Sequence, residues 1–353
     1  MPASTLNEHR RTRRAFLWIA IVAVLLFAAL SAAWFVLAQR LETATSQWLT
    51  RSAQSGVLVS CDNQDVFGYP FRLGVRCDAT GVDAGAAGTT LTAGALRTAG
   101  QIYDPTRFVA ELDGPLVVDT AEAPPLDLRW RLAQASAHVW TTGLDRLSLL
   151  VEAPEIALAE PAAGRRPLAR SDRLEAHVRR RGDALDIAVS DRGIVMLEPA
   201  LAGLPTFDVS ADASVEGAAG WLTGQAGATL GEALAGRTGT IRSLKIALAP
   251  PGGTGGASNA VAAPASAEIS GPFQVSADRR LSGSFEIALT DPGAIAALVG
   301  RLNPALAGTA GTVASAVGFA GRTEGGRTLI DVTVRDGQAT LGFVPLGTIP
   351  PLR

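Results

Sequence analysis

An uninterrupted apolar segment near the N-terminus constrains the fold of this chain more than any other feature. Its 24 residues, 15–38, include one polar side chain, that of Ser31. Four arginines precede it within residues 10–14. Because a helix crosses the hydrocarbon core of a bilayer with about 20 apolar residues, we predict a transmembrane helix over residues 15–38. The positive-inside rule places the Arg-rich tail, residues 1–14, in the cytoplasm.

A cleaved signal peptide is the alternative interpretation of this segment. Ser31 and Ala33 fit the small-residue positions of a cleavage site. However, the apolar run continues past them to Leu37 and exceeds the core of about 7 to 15 residues that is typical of signal peptides. We therefore favour an uncleaved single-pass anchor in a bacterial inner membrane. Residues 39–353 are then predicted to form a β-rich periplasmic domain.

Composition argues against several classes of function. The chain has 31 basic and 33 acidic residues and a formal net charge of -2, so no cationic field is available to hold nucleic acid. Three His and two Cys provide few ligands for a structural zinc or iron-sulfur site. The sequence also lacks catalytic motifs such as G-x-S-x-G and H-E-x-x-H. We predict a protein that is not an enzyme and that uses no metal or cofactor.

The two cysteines are predicted to form a disulfide. Cys61 and Cys77 flank a candidate turn at residues 68–70 and are equidistant from Tyr69. Alternation along the two flanking segments places both thiols on one face of a hairpin, where directly opposed residues lie near disulfide range. Such a bond fits an oxidising compartment. The alternative, two unrelated buried thiols, stays open at this point.

Alternation of apolar and polar residues is clearest near the C-terminus. Residues 330–335 alternate strictly and lead into Asp336-Gly337, which is a favoured two-residue type I′ hairpin turn. Counting outward from this turn predicts a hairpin with one apolar face. Its predicted apolar pairs are Val334 with Ala339, Val332 with Leu341 and Ile330 with Phe343.

The same period of two recurs along the chain, within residues 126–132, 174–189, 207–216 and 269–289. We predict a mainly β fold, in which the transmembrane helix precedes a large curved antiparallel sheet or a sandwich.

Helices are predicted to be few and short after the membrane span. That helix is predicted to continue past residue 38 and to dock through Leu41, Ala44, Trp48 and Leu49. Asp291-Pro292 is a typical helix start. Residues 250–267 are rich in Gly, Ala, Ser and Pro and are predicted to be a flexible loop.

A sequence motif gives a family resemblance. The motif consists of Gly68, Tyr69, Pro70, Phe71 and Arg72, after an Arg-rich start, one span and a Trp-bearing helix. With the ending at residues 336–347, it resembles the domain of unknown function 2125 family of alphaproteobacterial envelope proteins. Tyr69 stands where a Phe is more usual. The resemblance implies no activity and no functional residues. The strand rhythm is also similar, at the level of fold, to AsmA-like envelope proteins, which implies a groove that accommodates lipid.

These patterns lead to two hypotheses of function. In the first, one-sided apolar strands form a trough that binds or shields lipid or another apolar envelope component near the inner membrane. Its predicted lining includes Phe273, Val275, Phe285 and Ile287. In the second, the strands close into a filled sandwich, and the protein is an envelope assembly or scaffold protein with a protein partner.

Overall fold

The computed structural model describes residues 5–85, 88–121, 123–140, 143–160, 164–201, 203–223, 229–249 and 265–352. Within them the chain is mainly β, as predicted, with few helices. The helices are α1 (Thr5–Gln54), α2 (Leu230–Leu234), α3 (Pro292–Leu302) and α4 (Ala307–Ala320), with 3₁₀ turns at Pro199–Leu201, Ala219–Thr223 and Pro304–Leu306. The predicted loop at 250–267 lies outside the described residues up to position 264, and strand β18 begins at Ser266.

The described residues contain 23 strands. In chain order they are β1 (Leu58–Cys61), β2 (Asp65–Phe67), β3 (Arg72–Cys77), β4 (Thr80–Ala84), β5 (Thr89–Ala93), β6 (Leu96–Gln101), β7 (Asp104–Leu112), β8 (Leu116–Thr120), β9 (Ala123–Arg129), β10 (Leu132–Trp140), β11 (Gly143–Glu152), β12 (Glu155–Glu160), β13 (Gly164–Arg170), β14 (Arg173–Arg181), β15 (Ala184–Met196), β16 (Phe207–Val215), β17 (Thr238–Leu248), β18 (Ser266–Val275), β19 (Leu281–Thr290), β20 (Arg322–Glu324), β21 (Arg327–Arg335), β22 (Gln338–Leu341) and β23 (Val344–Thr348).

Helix α1 is one continuous helix of 50 residues. Its part from Ala15 to Gln54 is, by length and composition, apolar enough to cross a membrane. From Trp34 onward, the helix docks on the sheet through residues three or four positions apart, which share one helical face. This stripe consists of Trp34, Ala38, Leu41, Thr45, Leu49 and Ser52. The prediction was right for Leu41 and Leu49 and wrong for Ala44 and Trp48, which are exposed.

The strands pair antiparallel in two layers. The short layer has the order β1-β4-β5-β8-β9-β12-β13. The long layer begins β2-β3-β6-β7-β10-β11-β14-β15 and continues through β16, β17, β18, β19, β21, β22 and β23. Strand β15 belongs to both layers, because Met196 and Val195 pair with β13 while residues 184–192 pair with β14.

The chain passes between the layers repeatedly, and always at the same end. In the part that the structure describes, these crossings fall at residues 62–64, 78–79, 94–95, 113–115, 130–131, 153–154 and 171–172, and β15 passes from the long to the short layer after residue 192. Backbone hydrogen bonds link neighbouring crossings, for example from Asp113 N to Ala95 O at 2.8 Å and from Ala153 N to Asp172 O at 2.9 Å. We call this the joined end. Away from the joined end, each layer closes its own hairpins at its own free end, so the backbone does not tie the layers there.

Beyond β15, helices pack on the long layer. One core cluster contains Phe273, Phe285 and Ile330 and is covered by α4 and by Leu346 of β23. A second cluster packs Ile295 and Leu298 of α3 on the sheet. Helix α3 starts as predicted: the Asp291 side chain accepts a hydrogen bond from Ala294 N, and proline occupies the first turn.

The predicted C-terminal hairpin is confirmed near its turn. Asp336 and Gly337 both have positive φ, and Val334 pairs with Ala339. The pairs predicted further out do not form, because β22 ends at Leu341 and the chain turns back as β23. Phe343, predicted opposite Ile330, is 97% exposed at that turn.

Candidate functional site

An apolar cavity of about 460 Å³ lies where the two layers meet, at the joined end. Both layers contribute to its wall. The short layer provides Leu116, Leu128 and Ile156, and the long layer provides Leu96, Ala110, Leu112, Ala133, Ala135, Leu149, Val151 and Leu174. Arg129, Trp130, Gln134, Pro154 and Glu155 complete the lining. The cavity therefore combines an apolar wall with few polar groups, which is typical of sites for apolar ligands.

Strand register explains why space remains between the layers. In the short layer, Leu128 is the cross-strand partner of both Leu116 and Ile156. In the long layer, Ala135 pairs with Ala110 on one side and with Leu149 on the other. The lining thus combines large side chains from the short layer with alanines at the centre of the part that the long layer provides. Because an alanine side chain is a single methyl group, that part of the wall leaves space unfilled.

The inner face of the long layer becomes more exposed toward the free end. Near the joined end, Ala133 and Val151 are each 8% exposed. One step nearer the free end than the alanine row, Phe108 and Leu147 are both partners of Ala137 and are 43% and 36% exposed. An apolar surface therefore continues from the cavity toward the end where the backbone does not join the layers.

An ion-pair network stiffens the short layer beside the cavity. Asp127 on β9 is 7% exposed and accepts hydrogen bonds from Arg129 Nε at 2.9 Å and from Arg165 Nε at 3.2 Å. These bonds, that from Arg129 foremost, hold the pKa of Asp127 below its usual value despite burial. Arg165 also pairs with Glu155. The network therefore ties β9, β12 and β13 together, and Arg129 and Glu155 also belong to the cavity lining.

One carboxyl group sits among the inward-facing residues of the long layer. Asp191 follows Ile187 and Val189 on the same face of β15 and pairs with Leu174, which lines the cavity. Its Oδ1 atom is buried and has no hydrogen-bond partner within the described residues. Burial raises the pKa of Asp191, and the nearby charge of Asp208 adds to this, while a hydrogen bond with Ser171 opposes it. The protonated form is therefore favoured more here than in an exposed aspartate.

The family-like motif forms the turn that contacts helix α1. Tyr69 OH lies 2.8 Å from Ser31 Oγ, and Trp34 Nε1 donates a 2.7 Å hydrogen bond to Arg72 O. The Tyr69 and Trp34 rings pack edge to face with centroids 5.4 Å apart. Gly68 has φ +108, and an added Cβ would lie 2.8 Å from the Arg72 backbone, so the turn requires glycine. The motif thus attaches the free end of the long layer to the apolar helix.

The disulfide between Cys61 and Cys77 is confirmed, with the two Cα atoms 5.1 Å apart. Its predicted hairpin register is wrong. Cys61 ends β1 and pairs with Thr80 in the short layer, whereas Cys77 ends β3 and pairs with Leu96 in the long layer. The bond therefore joins the two layers at their joined end, because the chain changes layer between β1 and β2.

The predicted apolar lining lies in a packed region. Phe273, Val275 and Phe285 are 9%, 0% and 7% exposed, and Ile287 packs against the same core cluster. The structure brings these four residues together, as partners on β18 and β19, but under α4 and the C-terminal segment. None of them lines the interlayer cavity.

The sequence analysis did not predict the cavity. The nearest signal is the apolar alternation over residues 126–132, which predicts one strand, whereas β9 ends at Arg129 and β10 begins at Leu132. Trp130, between them, donates a hydrogen bond from Nε1 to Leu112 O at 2.8 Å.

In the part of the chain that the structure describes, no group of three or more His, Cys, Asp or Glu is placed to hold a metal ion.

The fold and the cavity define a class of protein: an antiparallel β protein with an apolar cavity where its two layers meet, attached to a helix apolar enough to cross a membrane. The chain belongs to the family described as uncharacterized protein conserved in bacteria (DUF2125), whose sequence profile matches residues 34–350. This match confirms the resemblance drawn from residues 68–72 and 336–347. No curated protein matches the chain. The likeness to AsmA-like proteins stays a prediction.

Proposed function

We propose that this chain is a single-pass inner-membrane protein whose periplasmic β domain holds lipid or another apolar envelope component between its two layers. The observation that carries the proposal is the apolar cavity, whose inner wall becomes more exposed toward the free end. The Tyr69–Trp34 contact attaches that same end to the apolar helix. A ligand leaving a bilayer would therefore meet an apolar path along Phe108 and Leu147 before it reaches the cavity.

Filling the cavity should remove the ligand. Ala135 is half-buried at the centre of the long-layer wall, so Ala135→Phe places a ring in the space between the layers. We expect wild-type protein, released from detergent in native mass spectrometry, to retain bound lipid, and the variant to retain about tenfold less. A tenfold loss corresponds to about 1.4 kcal/mol of binding free energy.

Ser136→Phe is the matched control, because Ser136 is exposed on the other face of the same strand. Lipid that merely surrounds helix α1 would persist in both variants, whereas lipid in the cavity would be lost only from Ala135→Phe. Equal lipid content in the two variants would count against the cavity as the binding site. A wild-type protein without lipid would favour the scaffold hypothesis.

The periplasmic placement is supported by the Arg-rich segment before the span and by the disulfide between the layers. We expect protein from the native envelope, alkylated without reductant and analysed by intact mass, to carry no label on Cys61 or Cys77. The same protein alkylated after reduction should gain two labels. Two labels without reductant would contradict an oxidising compartment.

A further inference from the structure

Three neighbouring hairpin tips at the free end of the long layer carry exposed aromatic side chains. Phe71 lies in the β2–β3 turn, Tyr103 in the β6–β7 turn and Trp140 at the end of β10, and they are 58%, 74% and 58% exposed. The tips are adjacent because the strand order is β3-β6-β7-β10. The first two are in direct contact, since Ile102 N donates to Phe71 O at 3.1 Å.

Contacts with helix α1 show where these tips lie along the span. Tyr69, two residues before Phe71, packs on Phe27 with ring centroids 6.4 Å apart and reaches Ser31 Oγ. A span of about 20 residues that starts at Ala15 ends near Trp34. The β2–β3 tip therefore contacts the last turns of the span, at the outer boundary of the hydrocarbon.

We propose that the Phe71, Tyr103 and Trp140 tips dock on the outer surface of the same bilayer that α1 crosses. Tyr and Trp are enriched at this boundary, because their rings enter the apolar region while their polar atoms stay near water. Trp140 stacks on His138 with ring centroids 6.2 Å apart, and more than half of each of the three side chains is exposed. Docking would turn the free end of the long layer toward the membrane, so that the path to the cavity would start at lipid. This inference rests on the anchoring part of the proposed function.

Depth measurements on the full chain in phospholipid nanodiscs test the docking. With Cys61 and Cys77 joined, a spin label attaches only to an introduced cysteine. We would label Tyr103→Cys and Trp140→Cys and compare the collision rates of each label with oxygen and with a water-soluble nickel complex. Arg131→Cys, at the joined end of the same layer, is the water-exposed control, and Val24→Cys reports the span.

We expect the oxygen-to-nickel ratio at Tyr103 and Trp140 to be several-fold higher than at Arg131 and to approach the ratio at Val24. If Val24 is in lipid while both tips match Arg131, docking is overturned and the anchoring stands. If Val24 is itself accessible to nickel, the anchoring fails and the docking fails with it.

Discussion

Phe285→Asp is expected to unfold the C-terminal half of the β domain. Phe285 is 7% exposed, pairs with Val332 on the neighbouring strand and belongs to the cluster beneath α4. An aspartate at this position would bury a carboxylate without a partner, which costs several kcal/mol or forces the group to stay protonated. Because a typical domain is stable by only about 5 to 15 kcal/mol, we expect loss of the cooperative thermal transition of the detergent-solubilised protein.

Phe343→Asp is the matched control for this experiment. The substitution is chemically identical, but Phe343 is 97% exposed at the β22–β23 turn, so we expect its melting temperature to stay near that of the wild type. If Phe285→Asp melts like Phe343→Asp, water reaches the predicted lining, and an open trough on β18 and β19 becomes the better description.

Local turn chemistry determined which hairpins could be predicted. The Asp336-Gly337 turn has two residues with positive φ, and such a turn fixes the register of the strands beside it. The pairing of Val334 with Ala339 could therefore be counted from the sequence. Between Cys61 and Cys77 no turn of this kind exists, and three residues separate β1 from β2. Alternation shows which face a residue occupies but not which layer its strand joins, so the disulfide was predicted with the wrong register.

The cavity could not be predicted because it depends on how the two layers meet. Ala133 and Ala135 look like ordinary strand residues, and only the nearby short layer makes their small size important. The change of layer at residues 130–131 could not be predicted either, because apolar alternation continues from Leu128 through Trp130. The contact of the motif with α1 joins residues 38 positions apart. Neither hydropathy nor spacing reports such a contact, although the motif itself was found.

Trp34→Ala is expected to release the motif turn from helix α1. Trp34 is 8% exposed, donates to Arg72 O and packs against Tyr69. Replacing a buried Trp by Ala typically costs about 3 to 5 kcal/mol. Local opening would become easier by a similar amount, so amide hydrogens in residues 68–73 should exchange at least roughly 100-fold faster. Hydrogen exchange with mass spectrometry, on the full chain in nanodiscs, measures this rate.

Two further variants separate this contact from a general effect of losing a tryptophan. Trp48→Ala removes a residue of the same type that is 52% exposed on the same helix, so exchange at residues 68–73 should match that of the wild type. Trp34→Phe keeps a ring beside Tyr69 but loses the hydrogen bond, which is worth about 1 kcal/mol, and should give an intermediate rate. Wild-type exchange in Trp34→Ala would show that the turn is held without the helix. The free end of the long layer would then not depend on this contact for its position beside the span.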